Sequence, residues 1–361
     1  MASPGLRGAA GRRVLGGMDN APLRWGIVGT GSIAHKFAAA LRETDSGRLV
    51  AVGSRGAESA RRFAEEFGVG RAHGRHEDLL ADPEVEAVYI ATPHPAHAEG
   101  AIAAARAGKH VLCEKPLTLN LGDSGRVVAA AREAGVTLME AFMYRCHPQT
   151  AKLAALVREG AIGQLGLVEA SFGFHCDFMP GHRLFAKALG GGGILDVGGY
   201  PVSMARLLAG AALGRAFAEP LSLAGAGRLH PVEGTDLHAA ATLGFEAGIV
   251  AQVSCGVSLA MENVVRVHGS AGSILVREPW FAGGPQGMAS LRLRTGDGTE
   301  REVPVDAPKG LYVYEAEAFA AAVRAGQREV PAMSHGDTLG NMAVLDRWRA
   351  AVGVVHGAAG A

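Results

Sequence analysis

From Leu23 onward, hydrophobic and polar positions alternate along the chain in a strand–helix rhythm. Residues 24–28 form a short apolar run. Residues 32–42 follow, with Ile33, Phe37, Ala40 and Leu41 spaced along one helical face. Further apolar runs lie at 49–52, 85–91, 110–114 and 136–140, and helical periodicity at 57–67, 96–107 and 120–134. The unbroken run at 85–91 is the pattern of a strand covered on both sheet faces. The repetition predicts a parallel, doubly wound sheet in a first domain spanning residues 21–145.

The grammar changes after residue 145. A helix over 149–158 ends in Glu159-Gly160, and longer alternating runs follow at 166–174, 236–245, 249–257, 263–268, 273–276 and 291–293. Glycine turns at 246–248 and 269–272 separate some of them, as antiparallel strands require. Helices over 194–209, 312–325 and 337–350 complete a second domain, residues 146–361. The expected fold class is α/β: an N-terminal Rossmann sheet and a C-terminal α+β domain with a large, mainly antiparallel open sheet. Residues 283–287 read as a surface loop and residues 1–20 as a disordered leader, with Met18 as an alternative start.

Composition narrows the partners. The 361 residues are 48% hydrophobic, enough for sizeable cores. Thirty-five basic residues balance 35 acidic ones, which argues against nucleic acid or an anionic membrane as partner. No apolar run approaches the roughly 18 residues of a membrane span. Cys113, Cys146, Cys176 and Cys255 form no CxxC, so they read as reduced thiols of a cytoplasmic protein. His94 and His97 lack a third ligand, and no metal site is expected.

Candidate chemistry begins at Gly29-Thr30-Gly31-Ser32-Ile33-Ala34, between the first strand and the first helix. Gly29 permits a tight turn, Gly31 lets backbone approach a pyrophosphate, and Ala34 allows close helix–strand packing. Free N–H groups of the helix start then face the phosphate. The second strand ends Gly53-Ser54-Arg55, without the acid that accepts from the NAD ribose. A guanidinium there suits a 2′-phosphate, so NADP is expected over NAD. Arg61 and Arg62 fit solvated helix charges as well as phosphate contacts. Thr92 and Pro93 end a further strand at the same sheet edge, where backbone meets the cofactor, and His97 opens the next helix.

Glu114-Lys115-Pro116 closes the strand 110–114 and puts a lysine in the crevice where such sheets bind ligands. After Gly190–Gly193 a helix begins in which Asp196 and Tyr200 stand four apart, on one face. Asp196 suits a helix start and Tyr200 a half-buried core site, but beside Lys115 they gain a catalytic reading. Free tyrosine titrates near 10. An ammonium about 4 Å away contributes about 4 kcal/mol at a dielectric of 20, which would bring the phenol towards neutral pH. His175, Asp177, His182 and Arg183 precede the glycine run as candidates for a substrate pocket.

These runs (GTGSIA, SR, ATPHPAH, GKHVLCEKPL, EAFMYRCHPQ and GGGILDVGGYP) resemble the Gfo/Idh/MocA oxidoreductase family over nearly all of residues 23–361. The likeness is closest to its dimeric dihydrodiol dehydrogenase and NADP-dependent xylose dehydrogenase branch. That branch carries Tyr at position 200, where inositol dehydrogenases carry His. The resemblance implies Lys115 as the essential lysine, Tyr200 as proton donor and acceptor, and Asp196 as their polar support. It places Glu114 beside the cofactor as a support for the lysine and Arg145 near the cofactor or the domain junction. It also implies a cis bond before Pro116 and a homodimer through the C-terminal sheet. The activity implied is NADP-dependent hydride transfer to or from a sugar or trans-dihydrodiol. Two other readings stay open: an NAD(P)-dependent glycosidase of the same fold, and a cofactor-sensing binding protein without turnover.

Overall fold

The computed structural model describes residues 21–282 and 288–354, so the expected leader at 1–20 and loop at 283–287 lie outside the described residues. Strands β1 (Leu23–Val28), β2 (Gly47–Gly53), β3 (Ala72–His73), β4 (Ala87–Ile90), β5 (His110–Glu114) and β6 (Leu138–Ala141) form one sheet. Its order is β3-β2-β1-β4-β5-β6, all parallel, as in a dinucleotide-binding sheet. Helices α1 (Ser32–Leu41), α2 (Ala57–Phe67), α3 (His76–Leu80), α4 (His97–Arg106) and α5 (Leu121–Ala134) connect the strands. Local chemistry sets their ends. The Asn120 side chain accepts from Asp123 N at 2.9 Å to start α5, and Gly135 closes it in the left-handed region at φ 65°. Chain order turns back between β1 and β4, which opens a crevice at their carboxyl ends.

After α6 (Pro148–Arg158) comes the second sheet: β7 (Leu165–Gly173), β8 (Ser222–Leu229), β9 (Asp236–Gly244), β10 (Val250–Gly256), β11 (Val264–Gly269), β12 (Gly272–Arg277), β13 (Met288–Thr295) and β14 (Glu300–Asp306). Its order is β14-β13-β12-β11-β7-β10-β9-β8, and among the described strands only β7 and β10 pair in parallel. The fold class expected from the sequence is the one observed.

Three short or edge elements depart from the expected list. β8 is an edge strand of small residues with no apolar stripe, and β14 carries Pro304 at the opposite edge. β3 has two residues. The helix expected over 194–209 is two pieces, a five-residue π-turn at Ile194–Gly198 running into α7 (Gly199–Ala212). Such turns collect at functional sites, where they re-aim side chains.

Helices α8 (Leu311–Arg324) and α9 (His335–Ala351) close the structure against both sheets. Phe319 of α8 packs on Trp25 of β1 at a ring separation of 5.1 Å, with Phe37 on another side at 5.1 Å. One continuous buried cluster therefore runs from Trp25 through Phe142 and Tyr200 to Trp280 and Trp348. At its centre Asp337 of α9 takes Arg145 Nη2 at 2.6 Å and pairs with Arg206 of α7, all three buried.

Candidate active site

The crevice at the carboxyl ends of β1 and β4 is a cleft of about 660 Å³. Gly29 leaves β1 at φ 106°, and a Cβ there would stand 2.7 Å from the Ala91 carbonyl oxygen, so only glycine makes this turn. Its N–H donates to Gly53 O at 2.8 Å, which draws the ends of β1 and β2 together. A Cβ on Gly31 would meet no protein atom within 4 Å. It would stand in the cleft, in room that a pyrophosphate needs. Gly31 caps α1 without a side chain, leaving the first-turn N–H groups for an anion. These features fit a dinucleotide.

Thr30, Ser32 and Ile33 line the same cleft, as do Ser54, Arg55, Thr92, Pro93, His97, Glu114 and Lys115. Ser54 is nearly buried, its hydroxyl 2.8 Å from that of Ser59, and Arg55 stands beside it. No carboxylate ends β2. Arg61 and Arg62 are exposed on α2 and do not line the cleft.

His97 is fully buried. Its Nδ1 lies 2.9 Å from Pro116 O and its Nε2 2.8 Å from Thr92 O, so the ring braces the loops after β4 and β5. His94 lies in the cleft, and its pKa is pushed down to about 3 by burial and then by the Lys115 charge. It is a neutral wall, not a cation.

Lys115 leaves β5 and crosses to the π-turn. Its Nζ donates to Asp196 O at 2.7 Å and lies 3.8 Å from Asp196 Oδ1. The Lys115–Pro116 peptide is cis. Glu114 turns inward: its Oε1 accepts from Tyr89 Oη, and its Oε2 accepts from Lys115 N at 3.2 Å. Burial pushes its carboxyl above the usual value, against the Lys115 charge. Asp196 also accepts from Arg183 Nη1 at 2.8 Å. Burial would raise its pKa, but the Lys115 and Arg183 charges outweigh that and hold it below the carboxylate range.

One expectation needs correction. Tyr200 does stand next to Lys115, but the ammonium sits over the ring, 5.4 Å from its centre, and the phenol donates to Met143 Sδ at 3.5 Å. Packed against Phe142, Tyr144, Phe172 and Trp280, the hydroxyl loses its water. Burial, reinforced by the Glu114 carboxylate, pushes its pKa well above 10, the reverse of the expected lowering. Of the two places expected for Arg145, the cofactor and the domain junction, it takes the second, outside the cleft. Its guanidinium is committed to Asp337 and to Ser203 Oγ at 2.7 Å, at the junction of the two sheets.

Three further side chains line the cleft: Lys36, His76 and Arg183. Lys36 reads from sequence as an ordinary helix charge, and His76 opens a five-residue helix too short to show periodicity. Arg183 is the one residue of the loop before the glycine run that reaches the cleft; His175 and Asp177 pair outside it at 3.8 Å.

Residues 23–142 match the Gfo/Idh/MocA oxidoreductase model, an NAD-binding Rossmann fold, and residues 150–275 match the Gfo/Idh/MocA C-terminal domain. A trans-1,2-dihydrobenzene-1,2-diol dehydrogenase of Danio rerio is 33% identical, covering 92% of this chain and 98% of its own. The chain belongs to the Gfo/Idh/MocA oxidoreductase family. Among its Gfo/Idh/MocA relatives is a D-xylose 1-dehydrogenase (NADP(+)) of Haloferax volcanii, 35% identical over 90% of this chain and 95% of its own. KijD10, a 3-ketoreductase from Actinomadura kijaniata solved with NADP and TDP-benzene, superimposes with a TM-score of 0.81 at 30% identity, covering 92% of this chain and 98% of its own. Both Gfo/Idh/MocA sheets are thus accounted for, and the cleft lies at the end of the first.

Proposed function

We propose that this oxidoreductase uses NADP to move hydride to or from a CH–OH carbon of a sugar or trans-dihydrodiol. The observation that carries the reading is the position of Lys115 Nζ, fixed on Asp196 in the same cleft as Gly31, Ser54 and Arg55. When bound, NADP supplies or accepts the hydride at its nicotinamide ring. Residues 21–145 hold the dinucleotide: amides of Gly29–Ile33 for the pyrophosphate, Ser54 and Arg55 for the 2′-phosphate, Thr92 and Pro93 along the chain between. The xylose dehydrogenase and KijD10, both associated with NADP, support that choice.

Lys115 donates to the reacting oxygen and stabilises the negative charge that develops on it. Asp196, ionised between two cations, holds the lysine in place. Tyr200, its phenol turned to Met143 Sδ and its ring beneath the ammonium, acts by positioning Lys115. Residues 146–361 bind the substrate and join two copies. The open face of the second sheet, with Ala224, Ala226, Ala240, Thr242 and Gln252 exposed, offers the small-residue surface on which a second copy would pair. Four free cysteines suit a reducing cytoplasm.

The test is a panel of aldoses, dicarbonyls and trans-dihydrodiols with NADP(H), followed by nicotinamide absorbance. Turnover of a sugar or diol is the expected result. Tight NADP binding with no turnover across the panel would overturn the reading in favour of a binding protein.

A further inference from the structure

His76 lines the cleft with Ser54 and Arg55, at the end expected to take the adenosine half of the dinucleotide. Its place is rigid. Leu79, one turn on, is fully buried against the end of β2, where a Cβ on Gly53 would meet it at 3.1 Å. Ser54 N donates to His73 O at 3.1 Å, which ties the segment before α3 to the turn after β2. Few charges surround the imidazole. Arg55 faces it from the β2 turn, Glu77 stands on its own helix and is engaged by Arg75 at 3.4 Å, and His73 on β3 is held by Asp82 at 3.0 Å.

We propose that His76 belongs to the 2′-phosphate site, donating to the phosphate beside Arg55 and taking up a proton from solvent as NADP binds. The inference rests on the NADP reading above. Before binding, burial holds the ring below its usual pKa; Glu77 acts against this and the Arg55 charge acts with it. At neutral pH it is therefore a neutral imidazole. A phosphate dianion placed beside it reverses the balance, because opposite charge at close range favours the charged form. Nicotinamide dinucleotide without the 2′-phosphate brings no such charge, so His76 would discriminate between the two cofactors. Proton uptake also fixes a direction: NADP affinity falls as pH rises.

Calorimetric titration of the full chain with NADP and with NAD, at pH 7.5 in Tris and in HEPES, tests this. The two buffers differ in ionisation enthalpy and so report protons taken up. For the wild type, NADP binding should consume a fraction of a proton and NAD binding none. His76→Gln should abolish the uptake and weaken NADP about tenfold, with NAD changed less than twofold. Equal weakening of both cofactors, or restored NADP affinity in His76→Phe, would show that the ring only stacks on adenine and overturns the proposal. Unchanged proton uptake in His76→Gln overturns it too. A wild type that binds NAD as tightly as NADP overturns the cofactor reading itself, which separates the two failures.

Discussion

The Lys115 ammonium lies over the face of the Tyr200 ring, 5.4 Å from its centre, while the Tyr200 hydroxyl turns to Met143 Sδ. The lysine, not the tyrosine, faces the cleft. Lys115→Met should therefore lower kcat by about 10²–10⁴-fold, the range of a lost acid–base group, with NADP affinity within about twofold of the wild type. Tyr200→Phe should cost less than Lys115→Met and leave the pH profile of kcat unshifted between pH 6 and 9. Steady-state rates and equilibrium titration check both; full activity of Lys115→Met would sink the assignment.

The two glycines of the turn after β1 separate folding from binding. Gly29→Ala places a Cβ against the Ala91 carbonyl oxygen at 2.7 Å and forces alanine to φ 106°, so its melting temperature should fall. Gly31→Ala touches no protein atom within 4 Å. Its melting temperature should match the wild type while NADP binding weakens. Thermal melts with and without NADP distinguish the pair.

Asp337 pairs with two buried guanidiniums, Arg145 and Arg206, and Glu219 supplies the second negative charge on Arg206. Asp337→Ala strands Arg145, leaves Arg206 with Glu219 alone, and should cost about 3–5 kcal/mol in urea unfolding, as buried pairs do when one partner is removed. A loss below about 1 kcal/mol would mean that water reaches the site.

Glu140 supplies a pH signature. Its Oε1 accepts from Leu117 N at 2.8 Å, just past Lys115-Pro116, and burial raises its pKa from 4.5 to about 7. A raised acid binds more protons folded than unfolded between those values. Its stabilising contribution is thus full below pH 4.5 and lost as pH rises through about 7. Glu140→Gln should flatten stability against pH over that window by up to about 3 kcal/mol relative to the wild type. Parallel urea curves from pH 5 to 8 measure the difference.

The pattern of apolar runs sufficed for the parallel sheet because β1, β4, β5 and β6 are buried almost throughout and the longer helices carry apolar stripes, whereas β3 and α3 are too short to show either. It failed for β8, whose Ala and Gly residues pack by backbone approach and leave no hydrophobic signature. The turn at Gly29, the pair Ser54-Arg55 and the lysine at 115 were legible because strand ends and glycine spacing fix where they point. The state of Tyr200 was not. Helical spacing put it near Lys115, but which end of the phenol faced the charge depended on Met143 and a π-turn that no local pattern announces. Which of its two expected places Arg145 takes was also beyond the sequence, because its partner Asp337 lies 192 positions away.

Trp25 stands in the third position of the first strand, yet one wall of its pocket is Phe319, near the end of the chain. During synthesis the amino-terminal sheet leaves the ribosome long before that wall exists. Its first strand must wait, with an indole uncovered, until α8 arrives to seal it. The sheet that carries the dinucleotide cleft is therefore fully covered only once residues 311–324 have emerged, and a nascent chain halted before residue 311 should keep Trp25 open to a quencher that the finished protein excludes.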